Sequence, residues 1–214
     1  MSMIPANSKC LVVGATNSSS IGFYAALNLL KAGASHVTIV GRDQTKLDES
    51  ILILSRKIND DGDDGDDDDN KRNVSGVLGD LKKPETMAEV VENAREQMGG
   101  IDILVCSGGN GYSEYLGLDV KDPESYRMMQ NVAVLSPMFL AEAAFPYLSK
   151  STNAHGGTVV IVGSVSGKLR CFNRLDPSTR YDLYPNLTNI CTRTTYIWNL
   201  FEHKQYIPSQ CCLA

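Results

Sequence analysis

The chain contains no CxxC pair and no group of histidines at metal-ligand spacing, and its six cysteines (Cys10, Cys106, Cys171, Cys191, Cys211 and Cys212) are scattered. That excludes a zinc module and leaves reduced thiols and no metal centre as the expectation. Basic clusters with interleaved aromatics are also missing, which removes the electrostatic footprint of a nucleic-acid binder. No uninterrupted apolar run approaches the length a bilayer needs, and Met1 to Lys9 lacks a charged segment leading into an apolar one. A soluble, cytoplasmic protein with no membrane attachment is expected. The formal charge of -5 comes from one stretch, where Asp60, Asp61, Asp63, Asp64, Asp66, Asp67, Asp68 and Asp69 stand together. Without them the balance turns positive, so no strongly acidic face is implied elsewhere.

What is present is enough for one sizeable α/β core: 214 residues, 43% hydrophobic and 21% charged. The first informative stretch runs from Lys9 to Gly22. A short apolar run reaches Gly14, a turn carrying Ser18, Ser19 and Ser20 follows, and a helix over Phe23 to Ala32 stops at Gly33. Free N–H groups and the helix dipole make that N-terminus an anion site, with the serine hydroxyls as extra donors and Gly22 permitting close approach. The expected core face of the helix is Ile21, Ala25, Leu29 and Ala32. Strand, turn and helix together form the opening βαβ unit of a dinucleotide-binding fold.

The pattern then repeats. His36 to Val40 is a strand ending at Gly41-Arg42, and Asp43 caps a helix with apolar face Leu47, Ile51, Leu54 and Ile58. A guanidinium at this strand end suits a 2′-phosphate, so NADP is favoured, while Asp43 keeps NAD open. The 60–70 insert is low-complexity and like-charged, fits no calcium-loop register, and reads as a solvated loop. Val74 to Leu78 is a third strand, with Asp80 beyond it either as an acceptor for the adenine amino group or as a helix cap. Pro84 opens a helix with core face Met87, Val90, Val91, Ala94 and Met98, ending at Gly99-Gly100. Ile101 to Val105 is a buried fourth strand followed by Cys106-Ser107-Gly108-Gly109. A long helix runs from Asp122-Pro123 to about Ser149 with a bend at Pro137. Gly156 to Val162 is the fifth strand, ending at Gly163-Ser164. The fold class is therefore α/β, a Rossmann-like doubly wound parallel sheet in three αβα layers.

From Lys9 to Lys168 the chain resembles a short-chain dehydrogenase/reductase. Ile101 to Gly109 is similar to the family's fourth strand and Asn-Asn-Ala-Gly turn, with Cys106, Ser107 and Gly108 replacing the first three residues. Asn131 falls at the helix asparagine and Ser164 at the serine closing the fifth strand. The glycine loop, with five residues between Gly14 and Ser20, resembles the divergent, enoyl-reductase-like branch. The resemblance implies cofactor contacts from Gly14, Ser20, Ile21, Gly22, Arg42, Asp80, Leu81 and Gly109, and catalytic roles for Ser164 and Asn131. It further implies hydride transfer between a nicotinamide and a small carbonyl or alcohol substrate, and subunits that pair into a homo-oligomer.

The family's tyrosine and lysine at i and i+4, which share a helix face and stabilise phenolate, have no counterpart after Ser164. Tyr181 is followed at i+4 by Pro185, Tyr184 by Thr188, Tyr196 by Leu200 and Tyr206 by Gln210. Beyond Arg170 no sustained helical or strand period remains. The expected organisation is a nucleotide-binding domain over 1–170 and an atypical tail over 171–214, with the family's last strands missing and the fifth strand left as an unprotected edge. Three readings follow: an NADP-preferring oxidoreductase impaired by the missing pair, a non-catalytic dinucleotide-binding or interaction protein, or an inert product of frameshift or splicing.

Overall fold

A computed structural model describes residues 7–60, 72–109, 123–153, 156–163 and 197–199. The elements are β1 (Lys9–Val13), α1 (Ile21–Lys31), β2 (His36–Gly41), α2 (Gln44–Asp60), β3 (Asn73–Leu78), a 3-10 turn (Pro84–Thr86), α3 (Met87–Met98), β4 (Ile103–Cys106), α4 (Pro123–Gln130), a π-helical turn (Asn131–Leu135), α5 (Ser136–Leu148), β5 (Thr158–Ile161) and β6 (Ile197–Asn199). The strands form one sheet in the order β3-β2-β1-β4-β5-β6. The first five pair in parallel, with Leu11 opposite both Thr38 and Leu104. This is the expected Rossmann-like doubly wound sheet, and its strand order reverses between β1 and β4.

Both faces of the central strands are covered, so they read as continuous apolar runs rather than alternating ones. Cys10, Val12, Val37 and Ile39 face α1 and α2, where they meet Phe23, Leu30, Leu47 and Leu54. Leu11, Val13, Val40 and Leu104 face α3 and α5, against Met87, Val91, Leu140 and Leu148. Each fully buried side chain of this size contributes about 1.5–3 kcal/mol relative to exposure. At the opposite end from the β1–α1 turn, Asp102 ties three segments together. Its carboxylate accepts from the Lys9 N–H at 2.9 Å and the Ser151 hydroxyl at 2.5 Å, and its own N–H donates to the Lys9 carbonyl.

Three expectations need correction. The buried face of α1 is Gly22, Phe23, Ala26, Leu27, Leu29 and Leu30, while Ile21 is 66% exposed. The bulky Phe23 takes the core position and rotates Ile21 outward. The long helix is not a simple bend at Pro137. Proline offers no N–H to the Ala133 carbonyl, and the irregularity is absorbed upstream by the π turn, where Ser136 donates to the Asn131 carbonyl. Lastly, β5 is not a bare edge, because β6 pairs with it antiparallel, placing Val159 opposite Trp198. Among the described residues no parallel strand follows β5. The stretch Arg127–Leu148 is long and apolar enough to cross a membrane by length and composition, yet Leu140, Ala144 and Leu148 are buried against α3 and the sheet.

Candidate functional site

A cleft of about 720 Å³ lies along the carboxyl ends of the parallel strands, at the point where the strand order reverses. That is where open α/β sheets take ligands, and the volume is within the usual range for ligand pockets. Its walls are the ends of four strands: Val13-Gly14 after β1, Gly41-Arg42-Asp43 after β2, Gly79-Asp80-Leu81 after β3 and Ser107-Gly108-Gly109 after β4.

Close backbone packing builds the centre of this cleft. Gly14 has φ +89°, and a Cβ there would lie 2.6 Å from the Gly108 nitrogen. At Gly22 a Cβ would lie 2.3 Å from Ser107 Oγ and 2.6 Å from the Gly14 carbonyl oxygen. The first turn of α1 therefore rests directly on the β1 and β4 turns. Ser20 fixes it there: its hydroxyl accepts from the Phe23 N–H at 3.2 Å and donates to the Gly14 carbonyl at 3.1 Å. An N-cap leaves the earliest helical N–H groups, those of Ile21 and Gly22, without intrahelical partners. Ser107 completes the centre by donating both its N–H and its hydroxyl to the Val13 carbonyl, at 3.0 and 2.7 Å. The hydroxyl thus makes a tie of its own in a turn where polar amides are absent.

Of the residues singled out from sequence, Gly14, Ser20, Arg42, Asp80, Leu81 and Gly109 line the cleft. Gly22 acts behind it through close packing, and the Ile21 side chain points to solvent. Ser18 and Ser19 are exposed and away from the lining. Asp80 is not a helix cap: its carboxylate accepts from the Lys82 N–H at 3.0 Å within its own turn, and the helix after it starts from Lys83. Asn131 is not in the lining either, because its amide donates to the Lys82 carbonyl at 3.0 Å. Ser164 and the 61–70 part of the acidic insert lie outside the described residues.

Thr16, Asn17, Lys46 and Val132 line the cleft without having been singled out as cofactor contacts, and Asp43, the residue that kept NAD open, lines it too. Thr16 presses on the end of β2, where a Cβ on Gly41 would be 2.1 Å from its Cγ2. Lys46 was legible only as the residue one turn into a helix capped by Asp43, whose Oδ1 accepts from the Lys46 N–H at 3.1 Å. One end of the cleft therefore carries the cations of Arg42 and Lys46 beside the α2 N-terminus. Cys106, at the end of β4, is buried, and desolvation pushes its thiol up to about 12. It stays a thiol at neutral pH, so its role beside the cleft is packing.

A family model for short chain dehydrogenase matches residues 9–175. The chain belongs to the short-chain dehydrogenase/reductase family. It is 30% identical over 162 residues to human dehydrogenase/reductase SDR family member 2, mitochondrial, covering 75% of this chain and 50% of that protein. To mouse dehydrogenase/reductase SDR family member 4 it is 29% identical over 173 residues, covering 80% and 54%. This short-chain dehydrogenase/reductase chain thus spans about half the length of the curated relatives it matches. Its fold is also that of L-sorbose reductase from Gluconobacter frateurii, solved with NADPH and L-sorbose, at TM-score 0.65 and 24% identity over 89% of this chain and 62% of that one. A short chain dehydrogenase from Burkholderia cenocepacia, in complex with NADP, gives TM-score 0.59 and 21% identity over 80% and 59%. Among the nine tyrosines of the present chain, none is followed at i+4 by lysine.

Proposed function

We propose that this short-chain dehydrogenase/reductase chain binds a nicotinamide dinucleotide in the strand-end cleft, prefers the 2′-phosphorylated form, and acts on a small carbonyl or alcohol substrate. The observation that carries the reading is the junction of a glycine-packed helix N-terminus with a two-cation end, Arg42 and Lys46, in one cleft. The residues fit the group. Amides of the α1 first turn suit a pyrophosphate, since they have no intrahelical partners and sit at the positive end of the dipole. Arg42 and Lys46 suit a 2′-phosphate, one as a planar fork and the other as a point charge. Asp43, the residue that would favour an unphosphorylated ribose, is engaged by the α2 backbone. Asp80 and Leu81 stand where the adenine edge would lie, and Gly109, where an added Cβ would touch none of the described residues within 4 Å, leaves room for a ribose.

When bound, the dinucleotide supplies the hydride. The protein's part is to hold it, to keep water from the nicotinamide side, and to move one proton at the substrate oxygen. In the family a tyrosine activated by lysine moves that proton, and this sequence has no such pair. Carbonyl reduction is therefore expected to be slow, with Ser164 the remaining candidate to hold the substrate oxygen. The missing pair also favours a second reading, a binding protein that keeps the cofactor and performs no turnover. Incubation with NADPH deuterated at C4 and a panel of aldehydes and ketones separates the two: deuterium in the product alcohol supports the oxidoreductase, and bound NADPH with no label transferred supports the binding protein.

A further inference from the structure

The turn that follows β3 forms one wall of the cleft, yet its backbone carbonyls are held from a helix that, among the described residues, contributes only Val132 to the lining. Ser136, completely buried, donates its hydroxyl to the Leu81 carbonyl at 2.7 Å. Asn131 donates its amide to the adjacent Lys82 carbonyl at 3.0 Å. These two donors stand five residues apart. On a regular α-helix such positions are rotated by roughly 140° from each other, too far to grip neighbouring peptide groups. The π turn removes that mismatch. Its bond from the Ser136 N–H to the Asn131 carbonyl brings i and i+5 to one face, as an α-helix brings i and i+4.

The contact continues into the cleft. Leu81 reaches across to the β4 turn, where a Cβ on Gly108 would be 2.2 Å from Leu81 Cδ1, and Gly108 in turn packs on Gly14. Lys82 and Lys83 close the same turn on Asp80, through its side-chain and main-chain oxygens respectively. We propose that the π turn is a clamp, with Asn131 and Ser136 as positioning residues that fix the Leu81–Lys82 turn so that the cleft is preformed for the adenine half of the dinucleotide. This rests on the dinucleotide reading and assigns Asn131 a task distinct from touching substrate. A side chain committed to a backbone carbonyl gives affinity by pre-organisation, since the turn does not have to be ordered when the ligand arrives.

The test uses the full chain, its Ser136→Ala, Ser136→Thr and Asn131→Leu variants, and two probes, NADPH and its adenine-half fragment 2′,5′-ADP. Loss of one buried hydrogen bond is expected to weaken both probes by the same factor, about 3- to 10-fold, in Ser136→Ala and in Asn131→Leu. Ser136→Thr, which keeps the hydroxyl, restores affinity to within about twofold of the parent, whereas a general loss of packing predicts no such rescue. Amide exchange at Lys82 and Lys83, measured without ligand, should quicken in both weakened variants. Unchanged 2′,5′-ADP affinity in Ser136→Ala and Asn131→Leu, with the parent binding normally, overturns the clamp alone. A parent chain that binds neither probe overturns the dinucleotide reading, and unchanged exchange at Lys82 and Lys83 then overturns the clamp as well.

Discussion

Replacing Gly14 by alanine tests the packing that brings α1 onto the β1 and β4 turns. The new methyl group would sit 2.6 Å from the Gly108 nitrogen, 2.7 Å from its Cα and 2.8 Å from the Ser107 carbonyl carbon, all of them backbone atoms. None can rotate away. The left-handed φ costs an L-residue roughly 1–2 kcal/mol, and forcing a methyl into close-packed backbone adds about 1–3 kcal/mol. Reduced freedom of the unfolded chain offsets about 0.4–1 kcal/mol of that. The net loss is about 1–4.5 kcal/mol, equivalent to a melting-temperature drop of about 2–18 °C for a domain of this size. Gly108→Ala is the control. Its methyl group would first meet Leu81 Cδ1, the tip of a flexible side chain, and the next atoms are 3.5 and 3.6 Å away, so rotation at a cost of about 0.5–1.5 kcal/mol nearly cancels the unfolded-state gain. Thermal or urea denaturation of both variants decides the matter. A Gly14→Ala protein as stable as the parent, or less affected than Gly108→Ala, would refute the packing argument.

Other consequences are open to measurement. Arg42→Ala and Lys46→Ala should each weaken NADPH by about 10-fold or more while leaving NADH nearly unchanged, because each removes a charge-assisted contact to the 2′-phosphate alone; equal losses for both cofactors in calorimetric titrations would contradict this. Burial first, and the Lys9 charge second, hold the His36 imidazole below its ordinary value of 6.5. The unfolded state then binds the proton more readily, so stability from this group is complete above about pH 7.5 and declines as pH falls through 6.5. Urea midpoints between pH 8 and 5.5 should show that decline, and His36→Gln should flatten it. Cys10 and Cys106 are buried and their thiols are raised by desolvation; native chain treated with iodoacetamide at pH 8 should leave both unmodified in peptide maps, with alkylation appearing in urea. Asp102→Ala leaves the Lys9 N–H and Ser151 hydroxyl without their acceptor and should lower stability by about 1–3 kcal/mol.

The sheet was legible because its strands are short, β-rich and punctuated by glycine, and because the helical faces keep strict spacing. Met87, Val90, Val91, Ala94 and Met98 are buried as the spacing required. Where spacing was ambiguous, volume decided: Phe23 displaced Ile21 from the core, since a large ring buries more apolar surface than the smaller side chain of Ile21. The strand-end glycines and Arg42 were readable from their position after each strand. Lys46 and Thr16 were not, because their place in the cleft depends on how α2 and the glycine loop lie across β2. The π turn was equally hidden. A proline signals a broken helix, but its sequence does not say whether the break is a bend or an added residue, and only the Ser136 and Asn131 partners show what the added residue does. The three-residue β6 has no period of its own and is defined by its pairing with β5.

The most direct test of the account is a calorimetric titration of the purified 214-residue chain with NADPH and with NADH. It predicts saturable binding of NADPH that is at least about tenfold tighter than NADH, with that preference reduced about tenfold by Arg42→Ala. A folded chain that binds neither dinucleotide, or that binds both equally, would contradict it.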